Sequence, residues 1–498
     1  MRIRTRSFVI VLSQGLTQAT VLIIGIILVR LISKQTFGTY RQAMLVYMFF
    51  AGVLSLQLYN SLYYFIPKFG LERRRALLLQ TFLIKFVTAL FIGGVMFFGA
   101  GVIAKIFNNP ELVPLIRILA LYPFVERLVI LIPAFMITVD RAFRAGAYVL
   151  AMATGRIATV TIMFTLGFQI SAVMWSVVAI GGLVALVGCV DMLRFSTGGE
   201  WRLDRNLLIE QLKYSWPLLA TATAGTINVQ WDRFLISTFF DPETYAVYSC
   251  GAIELPVITL VTMSLGIAMM PNLVTMAEHG KIVNAVHTWQ EAARKSSFII
   301  FPCFVFFLMF GYDLMVILYT QDYSLASWPF RIYLLRLPLG VIFYAILFRA
   351  VGQTKPIAIG AVIALVLNVA VSTTLVIIGG KTILSFVGPA VGTVVASFGS
   401  WFYLLRQLTH TISIPFSRIM RWKELGLTML VCVICGVIVF VIPLPTLPIQ
   451  IELLAHAATY IMILIFATLT TGMLKEDEKE LINIPVRAVK RIFLEKLL

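Results

Sequence analysis

The sequence predicts an all-α polytopic membrane protein of about fourteen spanning helices. They form two pseudo-symmetric six-helix lobes around a central cavity, with two further helices behind. Three observations carry this. First, 60% of the 498 residues are hydrophobic and only 13% are charged, whereas soluble domains carry about a quarter charged residues. Apolar runs of spanning length recur from end to end, and a backbone in lipid must satisfy its own hydrogen bonds, which makes these runs helices. A barrel would show short alternating segments. Second, basic residues alternate between successive connections. Third, the stretch that ends the first run recurs six runs later.

Taken in order, the helices are expected near 8–32, 42–66, 77–103, 115–139, 147–166, 171–193, 215–239, 247–276, 297–319, 329–350, 356–379, 384–405, 425–446 and 450–473. The first follows a basic start, MRIRTR. Its apolar part is too long for a signal peptide and no small-residue cleavage site follows, so it is read as retained. Breakers mark the turns: Asn108-Asn109-Pro110 after helix 3, Asp241-Pro242 after helix 7, Lys355-Pro356 before helix 11 and Pro443-Leu444-Pro445 before helix 14. The organisation that follows is an N-terminal lobe over 1–194, a cytoplasmic link over 195–214 and a second lobe over 215–406. A second link over 407–424 leads to the last two helices over 425–473. An amphipathic tail over 474–498 lies along the inner surface.

The net charge of +17 raises the question of nucleic acid, and its distribution answers it. The N-terminus, the even-numbered connections and the tail hold nearly all the basic residues outside the spans, among them Arg2, Arg4, Arg6, Arg73, Arg74, Arg75, Arg202, Arg205, Arg418, Arg421 and Lys423. The odd-numbered connections hold only Lys34, Arg41, Lys105 and Lys381. This is the positive-inside pattern, with both termini cytoplasmic, and no nucleic-acid surface is expected.

The repeat pairs Arg30-Leu31-Ile32-Ser33 and Phe37-Gly38-Thr39-Tyr40 with Phe234-Leu235-Ile236-Ser237 and Tyr245-Ala246-Val247-Tyr248. Six crossings restore the direction through the membrane, which is the arrangement of two parallel bundles about an axis along the membrane normal. A fainter echo relates Arg117–Pro123 to Arg331–Pro338.

No catalytic or metal site is expected. Cys432-x-x-Cys435 lies in an apolar helix with no second pair and reads as packing. Gly380-Lys381-Thr382 has Leu375 where a phosphate loop needs its first glycine. The four histidines have no ligand spacing, and no outer loop is long enough for a soluble domain. The informative polar residues lie on helices. On helix 7, Asn228 and Asp232 share one face with Thr221 and Gly225, and Thr226, Gln230 and Arg233 make the adjoining stripe. Helix 1 carries Gln14, Thr17, Gln18 and Arg30; helix 2 presents Gln57, Asn60, Ser61 and Tyr64. Such faces line a wet cavity or bond between helices. The deep cations Lys85, Arg127, Arg156, Arg233 and Arg336 outnumber the deep acids Glu126, Asp232 and Glu254. Each buried arginine costs about 2.5–3.5 kcal/mol on insertion scales, and an anionic substrate or structural pairing offsets that cost. Without an ATP site, uphill movement draws on a gradient. Glu254, ahead of Pro256, and Asp232 are the candidates to exchange a proton or sodium ion.

ILVRLISKQTFGTY at the end of helix 1, NSLYYFIPK at the end of helix 2 and WDRFLIS in helix 7 resemble the polysaccharide-transport flippases. These belong to the multidrug/oligosaccharidyl-lipid/polysaccharide exporter superfamily. The resemblance implies two six-helix lobes and transport rather than catalysis. It implies a substrate, a polyprenyl-diphosphate-linked oligosaccharide, turned from the inner to the outer leaflet of a bacterial cytoplasmic membrane. A cationic cavity is expected to hold the diphosphate, with Arg233 and Arg30 at the helix ends where the family has arginines. Arg127, Arg336 and Lys85 follow as diphosphate contacts, with Gln57, Asn60, Asn228 and Gln230 as sugar contacts. A polysaccharide polymerase and glycosyltransferases of the same pathway are the expected partners. Two other readings remain: a drug exporter of the same superfamily, against which the cationic surplus argues, and a membrane glycan polymerase or ligase, which would be expected to need a catalytic outer loop.

Overall fold

The computed structural model describes residues 2–54, 58–253, 255, 266, 269–442 and 448–473, and among these the side chains of residues 2–14, 18, 60, 217, 218 and 221 are not described. Gln57, Glu254 and the tail over 474–498 therefore fall outside the described residues. The described chain is helical, with no strand. The first half comprises α1 (Arg2–Leu31), α2 (Lys34–Val53), α3 (Leu58–Phe69), α4 (Arg74–Ile106), α5 (Leu112–Leu119), α6 (Tyr122–Thr138), α7 (Ala142–Thr165) and α8 (Ile170–Phe195). Then come α9 (Arg205–Phe239) and α10 (Pro242–Gly251), α11 (269–278), α12 (Ile282–Tyr319), α13 (Ser327–Leu334), α14 (Tyr344–Ala350), α15 (Lys355–Gly379) and α16 (Ile383–Ile412). A short α17 (Phe416–Ile419) precedes α18 (Trp422–Val441) and α19 (Ile449–Thr470).

Among the described residues, eight helices are long and apolar enough to cross a membrane: α4, α7, α8, α12, α15, α16, α18 and α19. A ninth crossing results if the segments Gln321–Leu334 and Leu337–Ala350, bent by 40°, count as one. Large apolar side chains point outward along these helices, including Phe98, Phe402, Leu454 and Phe466. A lipid-solvated rim explains so much exposed apolar surface; water does not.

Several spans expected to be continuous are broken. Ser33 caps α2, its Oγ accepting from the Thr36 backbone at 3.2 Å, so the helix starts at Lys34 and the region of the second span divides into α2 and α3. Arg41 consequently lies inside a helix, not in an outer connection. The fourth span divides at Ala120–Leu121, where Pro123 starts α6. The tenth divides at a 3-10 turn, Leu337–Val341, that contains Pro338. Apolar periodicity marks where chain is buried; it does not distinguish a straight helix from two short ones meeting at a capped break.

The two halves meet tightly at the end of the bundle where α1, α9 and α12 finish, here called the distal end. Gly38 of α2 lies against Pro242 of α10, and a Cβ on Gly38 would come within 1.8 Å of the Pro242 carbonyl oxygen. One buried cluster joins Leu28, Phe37, Tyr47, Tyr245, Tyr248, Tyr319 and Phe330 across this meeting. A second joins α12, α14, α16 and α18 through Trp289, Ile300, Leu347, Leu405, Cys432 and Cys435. All five cysteines are free.

Candidate functional site

A cavity of about 550 Å³ lies between α1 and α2 on one side and α9, α10, α12 and α16 on the other. Helix periodicity brings its polar groups in: Asn228 and Asp232 are one turn apart on α9, with Gln230 and Arg233 beside them, and all four line the cavity. Arg336, beyond the end of α13, enters from the tenth segment, and Arg41 enters from α2. A second chamber of about 460 Å³ adjoins, sharing Asn228, Tyr333 and Arg336 with the first. The lining is mostly apolar, with a few convergent polar groups, as ligand sites are.

The charges are unequal. Arg41, Arg233 and Arg336 face one carboxylate, Asp232, among the described lining residues. Arg233 is held at 3.2 Å by the Gln230 Oε1 it donates to and at 2.9 Å by the Ala252 carbonyl at the end of α10. Arg41 lies over the Phe37 ring, 5.2 Å from its centre, and its Nε has no acceptor among the described residues. An arginine stacked on one face keeps its other edge for a planar anion.

At the cavity wall, where Asp232 and Thr393 are part of the lining, α9, α15 and α16 enclose a cage of oxygens. Asp232 is 2% exposed. Its Oδ2 accepts from Thr393 Oγ1 at 3.4 Å. Its Oδ1 accepts no hydrogen bond among the described residues, although Tyr248 stands near enough to act on it. Asn368 donates to the Asn228 carbonyl at 2.9 Å, and its Oδ1 accepts from Ser372 at 2.7 Å and Thr393 at 3.3 Å. Ser372 also reaches the Pro389 carbonyl at 3.3 Å. The close approach of α15 and α16 depends on Gly392, where a Cβ would meet Ser372 Oγ at 2.0 Å. One carboxylate among amide, hydroxyl and carbonyl oxygens is a donor set for a hard monovalent cation.

The residues singled out in the sequence separate here. Arg233, Arg336, Asn228, Gln230 and Asp232 come together. Arg30 stands elsewhere: it donates at 2.6 Å to each of the carbonyls of Ile317 and Leu318 at the end of α12, and at 2.8 Å to Ile26. Lys85 and Arg127 are buried inside the first half, at 3% and 4% exposure, and do not line the cavity. Asn60 lies in α3 with its side chain outside the description, as do Gln57 and Glu254 entirely. Sequence reasoning missed Arg41, whose signal was the Ser33-x-x-Thr36 cap. It also missed Asn368 and Ser372, a polar pair one turn apart in α15.

A family model described as polysaccharide biosynthesis protein matches residues 27–327. No curated protein sequence matches this one. Among solved structures, the lipid II flippase MurJ in an inward closed conformation superposes with a TM-score of 0.70 at 15% identity, covering 93% of this chain and 98% of its own. An inward-facing multidrug resistance MATE family transporter of the MOP superfamily gives 0.62 at 15% identity, covering 79% and 94%. A MOP superfamily transporter from Pyrococcus furiosus, described by the reversed polarity of its binding pocket, gives 0.56 at 16% identity, covering 83% and 96%. At these identities the structures share the fold.

Proposed function

The chain belongs to the polysaccharide biosynthesis protein family, and from that premise we propose that it flips a polyprenyl-diphosphate-linked oligosaccharide from the inner to the outer leaflet of a bacterial cytoplasmic membrane. It is a transporter, not an enzyme: it moves the lipid-linked glycan unchanged. The observation that carries the reading is the placing of two guanidinium groups, Arg41 from α2 and Arg233 from α9, in the lining of one cavity. A diphosphate cannot enter hydrocarbon uncompensated, and stacked or forked arginines replace the water it leaves behind. Arg233 and Arg41, on opposite walls, take the diphosphate; Arg336 and Asn228, shared with the second chamber, face the adjoining sugar. At about 550 Å³ the cavity suits a head group of limited length, so longer glycans need the lobes over 1–194 and 215–406 to part. The polyprenyl tail stays in lipid throughout. A drug exporter, the competing reading, would expel amphipathic cations, which this lining repels.

Movement is coupled to an ion at the cage of Asp232, Asn368, Ser372 and Thr393. A polymerase and glycosyltransferases of the same pathway work on either side of the step.

The test is a strain whose only copy is Arg233→Ala, with membrane abundance verified. Loss of a charge-assisted contact of about 1.5–3 kcal/mol lowers flipping at least about tenfold, with surface glycan lost and the lipid-linked precursor accumulating inside. Arg233→Lys keeps the charge without the fork and is partly active. Normal surface glycan in the Ala strain removes Arg233 from the mechanism. Normal glycan in a clean deletion with no redundant flippase removes the function.

A further inference from the structure

The first half of the bundle holds a second set of charges that do not line the cavity, Lys85 and Arg127 buried, Glu126 and Arg156 half-buried. Lys85 comes from α4, Glu126 and Arg127 from α6 and Arg156 from α7, with Tyr47 of α2 and Tyr122 of α6 among them. The Arg156 guanidinium lies 5.2 Å from the centre of the Tyr122 ring, and that ring meets Tyr47 edge-on at 4.9 Å. Arg127 donates to the Ala51 carbonyl at 2.7 Å, one turn along α2 from Tyr47. Lys85 lies within the fields of both Arg127 and Glu126, and Tyr47 within those of Glu126, Arg127 and Arg156.

Charge and hydrogen bonding are both unbalanced. Three cations face one carboxylate, and no carboxylate among the described residues acts on Arg156. A lysine can shed its proton to escape burial; arginines cannot. Even with Lys85 neutral, Arg127 and Arg156 exceed Glu126 by one positive charge. The same place holds donors with no acceptor among the described residues: Arg127 Nε, Arg156 Nε and the hydroxyl of Tyr122. Tyr47 stands close enough to the Glu126 carboxylate to donate to it, so these two satisfy each other and leave the arginines and Tyr122. Buried donors and an uncompensated charge in one spot describe a missing monovalent acceptor.

We propose that Arg127, Arg156 and Tyr122 bind a small monovalent anion of the halide class, chloride being the abundant one. Its residues lie apart from the lining of the two chambers that would take a diphosphate bearing sugars. Bound there, the anion neutralises the cluster and ties α6 and α7 into one body, independently of what the cavity carries.

The test uses the purified full chain in lipid nanodiscs. Its Tm is followed in sodium chloride, sodium bromide and sodium gluconate at matched ionic strength. Chloride and bromide should raise Tm along a saturating curve that gluconate lacks. Arg156→Gln, which removes the excess charge, should weaken the halide dependence at least tenfold while leaving Tm in gluconate unchanged or higher. Arg336→Gln, in the cavity, should keep the dependence. Farnesyl diphosphate should not displace the halide; displacement would assign the anion to the cavity and overturn the proposal. So would equal Tm in all three salts, or a halide dependence that survives Arg156→Gln. If the variant does not fold, crystals of the unaltered protein in bromide decide the matter. An anomalous peak beside Arg127 and Arg156 supports the site, and its absence there, or a peak only beside Arg233, refutes it.

Discussion

Asp232 could be read from the sequence as an acid on a polar helix face, but its surroundings could not. Asn368, Ser372 and Thr393 lie far along the chain on α15 and α16, and nothing in local pattern says that those helices close on α9. The surroundings give the proposed ion site a test that separates the two ions left open by sequence. A proton needs only the carboxylate, whereas a sodium ion needs the oxygens around it. Asn368 and Ser372 are fully buried and already oriented by each other, which favours sodium. Asp232→Asn should abolish the dependence of flipping on an ion gradient at normal protein abundance. Asn368→Ala and Ser372→Ala should each raise the sodium concentration for half-maximal activity about tenfold or more. Gradient dependence unchanged in Asp232→Asn refutes the site; loss in Asp232→Asn alone, with the other two unaffected, leaves a proton site in place of sodium.

Arg30 shows how an element can occupy a residue whose type suggests a ligand. As an arginine near a membrane helix end, it reads from sequence as a diphosphate contact or a snorkelling side chain. In the structure its guanidinium satisfies the Ile317 and Leu318 carbonyls, which the last turn of α12 leaves without helical partners. The negative end of the α12 dipole strengthens those bonds. Around it, Phe37 packs edge-on against Tyr323 at 6.2 Å and Gln42 reaches the Ser237 carbonyl at 3.5 Å, so α1 and α2 are fastened to α9 and α12 at the distal end. Arg30 becomes available to a substrate only where α12 moves away. In a cysteine-free background with Val21→Cys on the cavity wall, Arg30→Gln should let a membrane-impermeant maleimide in from the distal side several times faster, and Arg30→Lys should restore part of the protection. Equal labelling rates in all three would show that Arg30 does not hold this end shut.

At the scale of the whole molecule, the sequence was most legible where physics acts on many residues at once. Hydropathy marked the long helices because lipid leaves no alternative, and the echo of Arg30-Leu31-Ile32-Ser33 in Phe234-Leu235-Ile236-Ser237 proposes α1 and α9 as counterparts. Both finish at the distal end, and the segments after them, α2 and α10, meet at Gly38 and Pro242. The breaks inside the second, fourth and tenth segments were less legible, because a cap or one proline moves a boundary without changing the apolar count. The alternation of basic residues depends on none of these breaks, since a broken span still delivers the chain to the opposite side. It therefore predicts a topology that can be tested at turns the structure identifies. Gln169 caps α8, Asp241 caps α10 and Asp322 lies in the 3-10 turn after α12. Gly199 lies between α8 and α9, and Lys281 precedes α12. Reporter fusions after Gln169, Asp241 and Asp322 should read outside, and fusions after Gly199 and Lys281 inside, with both termini cytoplasmic. One clear reversal would break the parity of crossings. A reversal after Gly199 or Asp241, which flank α9, would also set α9 antiparallel to α1 across the membrane, against the shared end at which both finish.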